Sequence, residues 1–296
     1  MLRLEFSRDD LNLPQHRETM RRASISGVQD KVQLKYVRGH FAVVESGGDY
    51  ILKPVPHQTS ARLADDIPAN EALTMDIASD IFGIHVADHE LVELADGSLA
   101  YLTRRFDYRN RQKIRQEDFC QLSNRSEETH GSNYKYDASY EELAGLVRRF
   151  CPSHRIENPK VFFLIVFNYV FANGDAHLKN FSLYESRQGD YILTPAYDLL
   201  NTAVHFPNEP TATGLDFFAD GHFTSRYEEL GFYSSADFRE LGAAFGVSAE
   251  EVDEMLRVFP QRREAVETAI AQSRLSSAAR QIYFEKFHDR LKAIAQ

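Results

Sequence analysis

The chain has 296 residues and a formal net charge of −10, from 34 Lys and Arg against 44 Asp and Glu. With 43% hydrophobic and 26% charged residues it can bury a full core over one large or two modest domains, which excludes a chain disordered over most of its length. The acidic balance argues against a protein that coats DNA through a basic face, and two cysteines, Cys120 and Cys151, are too few for a disulfide framework or a four-cysteine zinc site. The amino-terminal residues lack the apolar stretch of a secretory signal. The longest apolar run, Val161 to Ala172, is broken by Asn168 and falls short of the roughly 20 residues that cross a bilayer. A soluble, cytoplasmic protein is expected.

In chain order, residues 32–37 and 41–44 flank a turn at Arg38-Gly39-His40 and read as a hairpin. Gly47-Gly48-Asp49 turns the chain into Tyr50-Ile-Leu-Lys-Pro54, a strand that Pro54 ends because proline cannot donate to a ladder. A helix is predicted from Pro68 to Gly83. Its apolar residues fall on two faces, with Leu73, Ile77 and Ile81 on one and Met75, Ala78 and Phe82 on the other, so it should lie between two packed layers. Strands are predicted over 85–94 and 99–103, joined by the Ala95-Asp96-Gly97 turn. Residues 108–138 are polar and without period, and read as a long loop with short helical pieces. Helices dominate from Ser139 onward. Capping boxes are expected at Ser139-Tyr-Glu-Glu142 and Ser248-Ala-Glu-Glu251, Pro159 is expected to open the most apolar helix, and residues 276–295 form the last one. A β-rich first third before a helical remainder predicts an α+β, two-lobed protein.

The most informative segment is Asn173-Gly-Asp-Ala-His-Leu-Lys-Asn-Phe-Ser-Leu183, directly after the apolar helix. It sets Asp175 and Asn180 five residues apart. Phosphoryl transfer from ATP uses an aspartate that accepts the proton of the attacking hydroxyl and an asparagine five residues on that binds Mg²⁺. A second metal-binding aspartate is expected at the end of a following strand, and residues 191–198 end in Asp198. Upstream, Lys53 lies in a strand where it could grip phosphates, and Glu71 lies on the Met75 face of the next helix, where it could pair with Lys53. Each of these is weak alone, since a lone strand lysine or helix glutamate is usually solvated, and Asp175 with His177 also permits a metal-hydrolase reading. The order Lys53, Glu71, Asp175, Asn180, Asp198 favours kinase chemistry.

Four segments then resemble the hallmarks of the HipA-family serine/threonine kinases, the toxin kinases of bacterial toxin–antitoxin operons. They are Ser24-Ile-Ser-Gly-Val-Gln-Asp-Lys31, Arg105-Phe-Asp107, Arg115-Gln-Glu-Asp-Phe-Cys-Gln121 and Gly174-Asp-Ala-His-Leu-Lys-Asn-Phe-Ser182. The resemblance implies a protein-kinase-like two-lobed fold, with a small β-rich N-lobe over 1–106, a larger helical C-lobe over 107–296, and ATP and Mg²⁺ in the cleft. It implies Asp175 as the catalytic base, Asn180 and Asp198 as the metal ligands, and Lys53 as the phosphate-binding lysine. It implies a phosphate loop that includes Ser26, Gly27, Val28 and Lys31, a hinge at Arg104 to Phe106, and nucleotide-site positions for Glu71, His177 and Lys179. The family's hinge usually begins with glutamate where this chain has Arg104, and Gly27 is the sole glycine of the phosphate loop.

Only 23 residues precede Ser24, and the paired serines Ser24 and Ser26 resemble the autophosphorylation sites of the short HipT type. That resemblance implies a HipB-type DNA-binding antitoxin and a HipS-type small protein as partners, with an aminoacyl-tRNA synthetase as substrate, the tryptophanyl enzyme before the glutamyl one. DNA contact would then be indirect. A phosphoserine in the phosphate loop, bringing about −1.5 to −2 charges, would oppose ATP phosphates. The alternatives are a HipA-like effector kinase with a host substrate, a nucleotide-binding pseudokinase, and a metal hydrolase built on Asp175, His177 and Asp198. Cys120 reads as a small buried residue rather than a nucleophile.

Overall fold

The computed structural model describes residues 1–11, 30–57, 59–109, 112–207 and 212–296, so the expected positions Ser24, Ser26, Gly27 and Val28 lie outside the described residues. Alternation of apolar and polar residues in the first third produces a five-stranded antiparallel sheet. Its strands are β1 (Val32–Val37), β2 (His40–Val43), β3 (Tyr50–Pro54), β4 (His89–Glu93) and β5 (Leu99–Arg104), in the order β2-β1-β3-β5-β4. Both Arg38 and Gly39 have positive φ, 51° and 94°, so the first hairpin closes through a two-residue turn whose twist matches the strands. Because strand side chains alternate, Leu34, Leu52, Val92, Ala100 and Leu102 share a core on one face with Leu4 and Leu11. Lys53, one residue after Leu52, is thereby turned to the opposite face, where it sits opposite Tyr101 of β5.

That opposite face is covered by α1 (Ile67–Asp76), extended by a wider π-helical turn over Ile77–Ile81. The two apolar faces anticipated for this helix are both used. Nine of its ten residues are buried, from Ile67 through Met75, and its core is continuous with that of the helical lobe. Phe82 at its end stacks on Phe259 at 4.8 Å and meets Phe167 and Phe171 edge-on. Polar contacts bind the helix to the second lobe as well. Asn70 bonds the backbone N–H and C=O of Asn201, both at 2.9 Å, and the Thr74 and Tyr283 hydroxyls lie 2.9 Å apart. The Asp66 carboxylate accepts from the backbone and hydroxyl of Ser276, the residue that caps the last helix.

The helical lobe is built on α2 (Tyr140–Phe150) and α3 (His154–Val170), followed by α4 (Ser235–Ala244), α5 (Ala249–Gln261), α6 (Arg263–Gln272) and α7 (Ser277–Ile294). The helix α3 is buried on all sides along Val161–Val170, which explains its unbroken apolar character. It begins at His154, five residues before the proline expected to open it. Pro159 sits in the second turn, where its missing N–H removes a single hydrogen bond near the helix start. The capping box at Ser248 forms in full. At Ser139 only the serine half forms, because the Glu142 carboxylate turns instead to Arg125 at 2.8 and 2.9 Å.

Residues 108–138 carry more structure than a loop. They hold the hairpin β6 (Tyr108–Arg109) and β7 (Gln112–Lys113), then β8 (Gln116–Asp118) and two single-turn helices. Strand β8 pairs with β9 (Ser182–Glu185), which pairs with β10 (Tyr191–Leu193), in a three-stranded sheet beside the cleft. The strand expected to reach Asp198 therefore stops at Leu193, and the one expected from residue 85 starts at His89. The architecture is α+β, with a β-sheet lobe and a helical lobe.

Candidate active site

A cavity of about 470 Å³ lies between the sheet lobe and the helical lobe. Every expected site residue that is described lines it: Lys31, Lys53, Glu71, Arg104, Phe106, Asp175, His177, Lys179, Asn180 and Asp198. Its size suits a ligand of nucleotide dimensions.

Three elements meet at Lys53. Its ammonium bonds to the carboxylates of Glu71 from α1 and Asp198 from the segment after β10, and it lies 5.3 Å from the centre of the Tyr101 ring. The Glu71 and Lys53 side chains are 1% and 4% exposed. Burial alone would lower the lysine's pKa, but the charges of Asp198 and Glu71 overcome that and raise it, so Lys53 stays cationic. Lys31 approaches the other oxygen of Asp198 at 3.6 Å. Burial favours the neutral acid at Asp198, yet Lys31 and Lys53 hold its carboxyl well below the usual carboxylate range. Asp198 thus remains an anion in the cavity wall.

The backbone around Asp198 is held for that purpose. Asp198 has φ of +55°, a left-handed conformation that aspartate tolerates better than most residues. Its carbonyl accepts from Asn173, whose amide also bonds Asn168 at 2.7 Å, and Asn168 is anchored to the Leu164 carbonyl inside α3. The polar residue that interrupts the apolar run is therefore the buried post that ties residues 173 and 198 together. On the neighbouring loop, Gly174 N donates to Thr202 at 2.9 Å, and the single turn Leu178–Asn180 is closed by Asn180 Oδ1 accepting from His177 N at 3.1 Å. Asn180 Nδ2 reaches Asp198 Oδ2 at 3.4 Å, so the five-residue spacing brings Asn180 to Asp198 and leaves Asp175 on the other side of the turn.

Asp175 accepts a hydrogen bond from the Tyr136 hydroxyl, and His177 Nε2 lies 3.8 Å from the same Asp175 oxygen. Burial of the imidazole outweighs the nearby Asp175 charge and pushes its pKa down to about 4, so His177 is neutral at physiological pH. Among the described residues neither ring nitrogen has a hydrogen-bond partner, and the ring packs edge-on against Tyr136 with centroids 5.0 Å apart. Lys179 points away to Asp118, 2.9 Å distant. Asp118 also caps the turn Phe119–Leu122, which gives the Arg115–Gln121 segment a structural role in the cavity wall. Burial pushes the Cys120 thiol up to about 12, as suits an inert side chain.

At the cavity's other end, Phe106 packs on Tyr197 at 5.6 Å and on Tyr184 at 6.4 Å, forming an aromatic wall. Arg104 sits at the rim with its side chain 64% exposed, at 4.0 Å from Asp88. Among the described residues, no three His, Cys, Asp or Glu side chains gather into a metal site, so the hydrolase alternative lacks a ligand set. Mg²⁺ held with substrate phosphates needs only one or two carboxylates, and the Asp198 carboxylate fits that requirement, with Asn180 beside it, its Nδ2 towards Asp198 and its Oδ1 accepting from His177 N.

Sequence reasoning passed over Lys135, Tyr136, Asn70 and Gly214, all of which bear on this site. No local pattern marks them, because each acts through a partner far away in the sequence, as Tyr136 does through Asp175, 39 residues on.

Residues 23–270 match the family described as the HipA-like C-terminal domain. A Haemophilus influenzae protein named "Putative kinase" is 28% identical over 291 residues, covering 91% of this chain and 81% of the relative. The Sinorhizobium fredii "Putative kinase Y4mE" is 34% identical over 191 residues, and the match spans 62% of this chain but 43% of that protein. In fold, the chain resembles the Shewanella oneidensis toxin HipA, solved with HipB and operator DNA, at a TM-score of 0.65 and 22% identity. That likeness covers 91% of this chain and 64% of HipA. The Helicobacter pylori proinflammatory kinase CtkA aligns with a TM-score of 0.59 and 14% identity over 90% of this chain and 89% of its own. On the family match over most of its length, with a concordant fold, this chain belongs to the HipA-like C-terminal domain family.

Proposed function

We propose that this chain is an ATP- and Mg²⁺-dependent serine/threonine protein kinase acting as the toxin of a toxin–antitoxin pair. The observation that carries the reading is the convergence of Lys53, Asp198, Asn180 and Asp175 on one cavity between the lobes, taken here as 1–106 and 107–296. Lys53, kept cationic by Glu71 and Asp198, holds the phosphates of the nucleotide. Asp198 and Asn180 hold Mg²⁺, which neutralises developing phosphate charge when bound. Asp175 takes the proton that the acceptor hydroxyl releases. A hydroxyl, that of Tyr136, already donates to this carboxylate, which supports the geometry required of a base. Phe106 supplies the apolar wall for the base ring.

The finer reading follows the family. The paired serines Ser24 and Ser26 support the HipT type, autophosphorylation at either serine, and a HipS-type companion. The Shewanella complex supports a HipB-type antitoxin as partner, through which DNA is contacted indirectly. The substrate class is an aminoacyl-tRNA synthetase, the tryptophanyl enzyme before the glutamyl one, in the bacterial cytoplasm. No helix among the described residues is long and apolar enough to cross a membrane.

The test is incubation with γ-labelled ATP and Mg²⁺, comparing the wild type with Asp175→Gln, alone and with each synthetase. Label on Ser24 or Ser26 in the wild type alone, and transfer to a synthetase, are expected. Absence of transfer to the chain itself and to every synthetase would overturn the reading.

A further inference from the structure

Among the described residues, six Lys and Arg side chains line the cavity, and five are matched to carboxylates. Lys31 and Lys53 face Asp198, Arg104 faces Asp88, Arg105 is paired with Asp107 at 2.6 Å, and Lys179 with Asp118. Lys135 is the exception. Among the described residues its ammonium makes no hydrogen bond or ion pair, and it lies over the Tyr136 ring at 4.8 Å. The residue is only 9% exposed. An ammonium set in a cavity wall with no carboxylate bonded to it is open to an anion entering the cavity. Burial lowers the Lys135 pKa while the Asp175 carboxylate works in the opposite direction, so the two groups share one electrostatic environment.

Its position is built into the backbone. Leu178 N donates to the Lys135 carbonyl at 3.2 Å, and the Tyr140 hydroxyl donates to the Ala176 carbonyl at 2.9 Å. With the Tyr136 contact to Asp175, these bonds bind residues 135–140 to residues 175–178 at three points. The loop that carries Asp175 cannot supply a cation of its own to the reacting group. Lys179, the lysine of that loop, is occupied by Asp118.

We propose that Lys135 binds the terminal phosphate of a nucleoside triphosphate in this cavity and stabilises the charge on its peripheral oxygens during transfer. The inference rests on the kinase reading and adds the group that distinguishes a triphosphate from a diphosphate. Lys135 donates to a terminal phosphoryl oxygen while Asp175, on the adjoining loop, takes the acceptor's proton. The cation is thus delivered to the base's side of the cavity from a separate loop.

The experiment is calorimetric binding, in the presence of Mg²⁺, of ADP and of a β,γ-imido analogue of ATP. Wild type is compared with Lys135→Gln and Lys135→Arg. Lys135→Gln should weaken the triphosphate analogue about tenfold, the scale of one charge-assisted hydrogen bond, and leave ADP unchanged. Lys135→Arg should restore the preference. Lys135→Met, which keeps the stem against Tyr136, carries the same expectation if Lys135→Gln does not fold. Equal weakening of both nucleotides, or of neither, overturns the assignment while leaving the kinase reading intact. A wild type that binds neither nucleotide removes both.

Discussion

Gly214 offers the sharpest test of how the Asp175 loop is held. A Cβ at this position would stand 2.4 Å from both the N and C atoms of Ala176 and 2.6 Å from its O. Carbon contacts become comfortable at about 3.5 Å, so Gly214→Ala forces the two segments about 1 Å apart. The atoms that obstruct are backbone, which no rotamer change relieves, and Ala176 adjoins Asp175. With Asp175 as the base proposed above, its displacement by about 1 Å costs on the order of a hundredfold in rate. Overpacking of this kind lowers stability by about 1–3 kcal/mol. Lys53 and Asp198 are not touched, so nucleotide affinity should change little. The assay is the rate of phosphoryl transfer at saturating ATP, with nucleotide affinity and thermal unfolding measured alongside. Gly242→Ala is the control. Its Cβ would meet Val252 Cγ2 at 2.5 Å in the contact between α4 and α5, so it should lower stability and leave transfer intact. Wild-type transfer by Gly214→Ala, or equal loss in both variants, would refute the argument that close approach at Gly214 positions the base.

Three further outcomes follow from particular contacts. His177 titrates near 4 in the folded chain and near 6.5 when unfolded, so the unfolded state takes up the proton first as pH falls. Stability is fully present above about 6.5 and declines towards pH 4, by about 3 kcal/mol in total. Urea unfolding at pH 7 and pH 4.5 should show a smaller decline for His177→Gln than for the wild type, and equal declines would remove the assignment. Asn70→Leu leaves the buried backbone N–H and C=O of Asn201 without their partner, costing about 1–3 kcal/mol for each group. Chemical denaturation measures this loss, and a variant as stable as wild type would show that α1 is not anchored there. Phe106→Ala removes the aromatic wall and should weaken ATP and ADP alike, by the 1–3 kcal/mol or so typical of base stacking. Unchanged affinity in calorimetry would place the base ring elsewhere.

Local rules carried far in this chain. Turn residues and Pro54 predict the bounds of the strand that holds Lys53, and the two apolar faces of α1 predict its place between layers. Both readings depend on neighbours within one or two turns of the chain, which is the range over which propensity and periodicity act. The serine cap at Ser248 and the Arg38-Gly39 turn are legible for the same reason. Pro159 shows the limit. Proline marks a helix start by preference, but it is also tolerated within the first turns, and α3 runs about a turn and a half before it.

The amino-acid sequence by itself determined the α+β class, the two-lobed division of elements, and the ordered set Lys53, Glu71, Asp175, Asn180 and Asp198. It did so because side-chain alternation, capping and a five-residue spacing are written along the chain. Tertiary structure alone decided which cations are matched and which is left. Lys179 is taken by Asp118 from a strand that forms only when β8 meets β9. Lys135 is carried to the Asp175 loop by a segment with no periodicity of its own. Charge pairing depends on distances between elements far apart in sequence, and those distances exist only once the two lobes share a core.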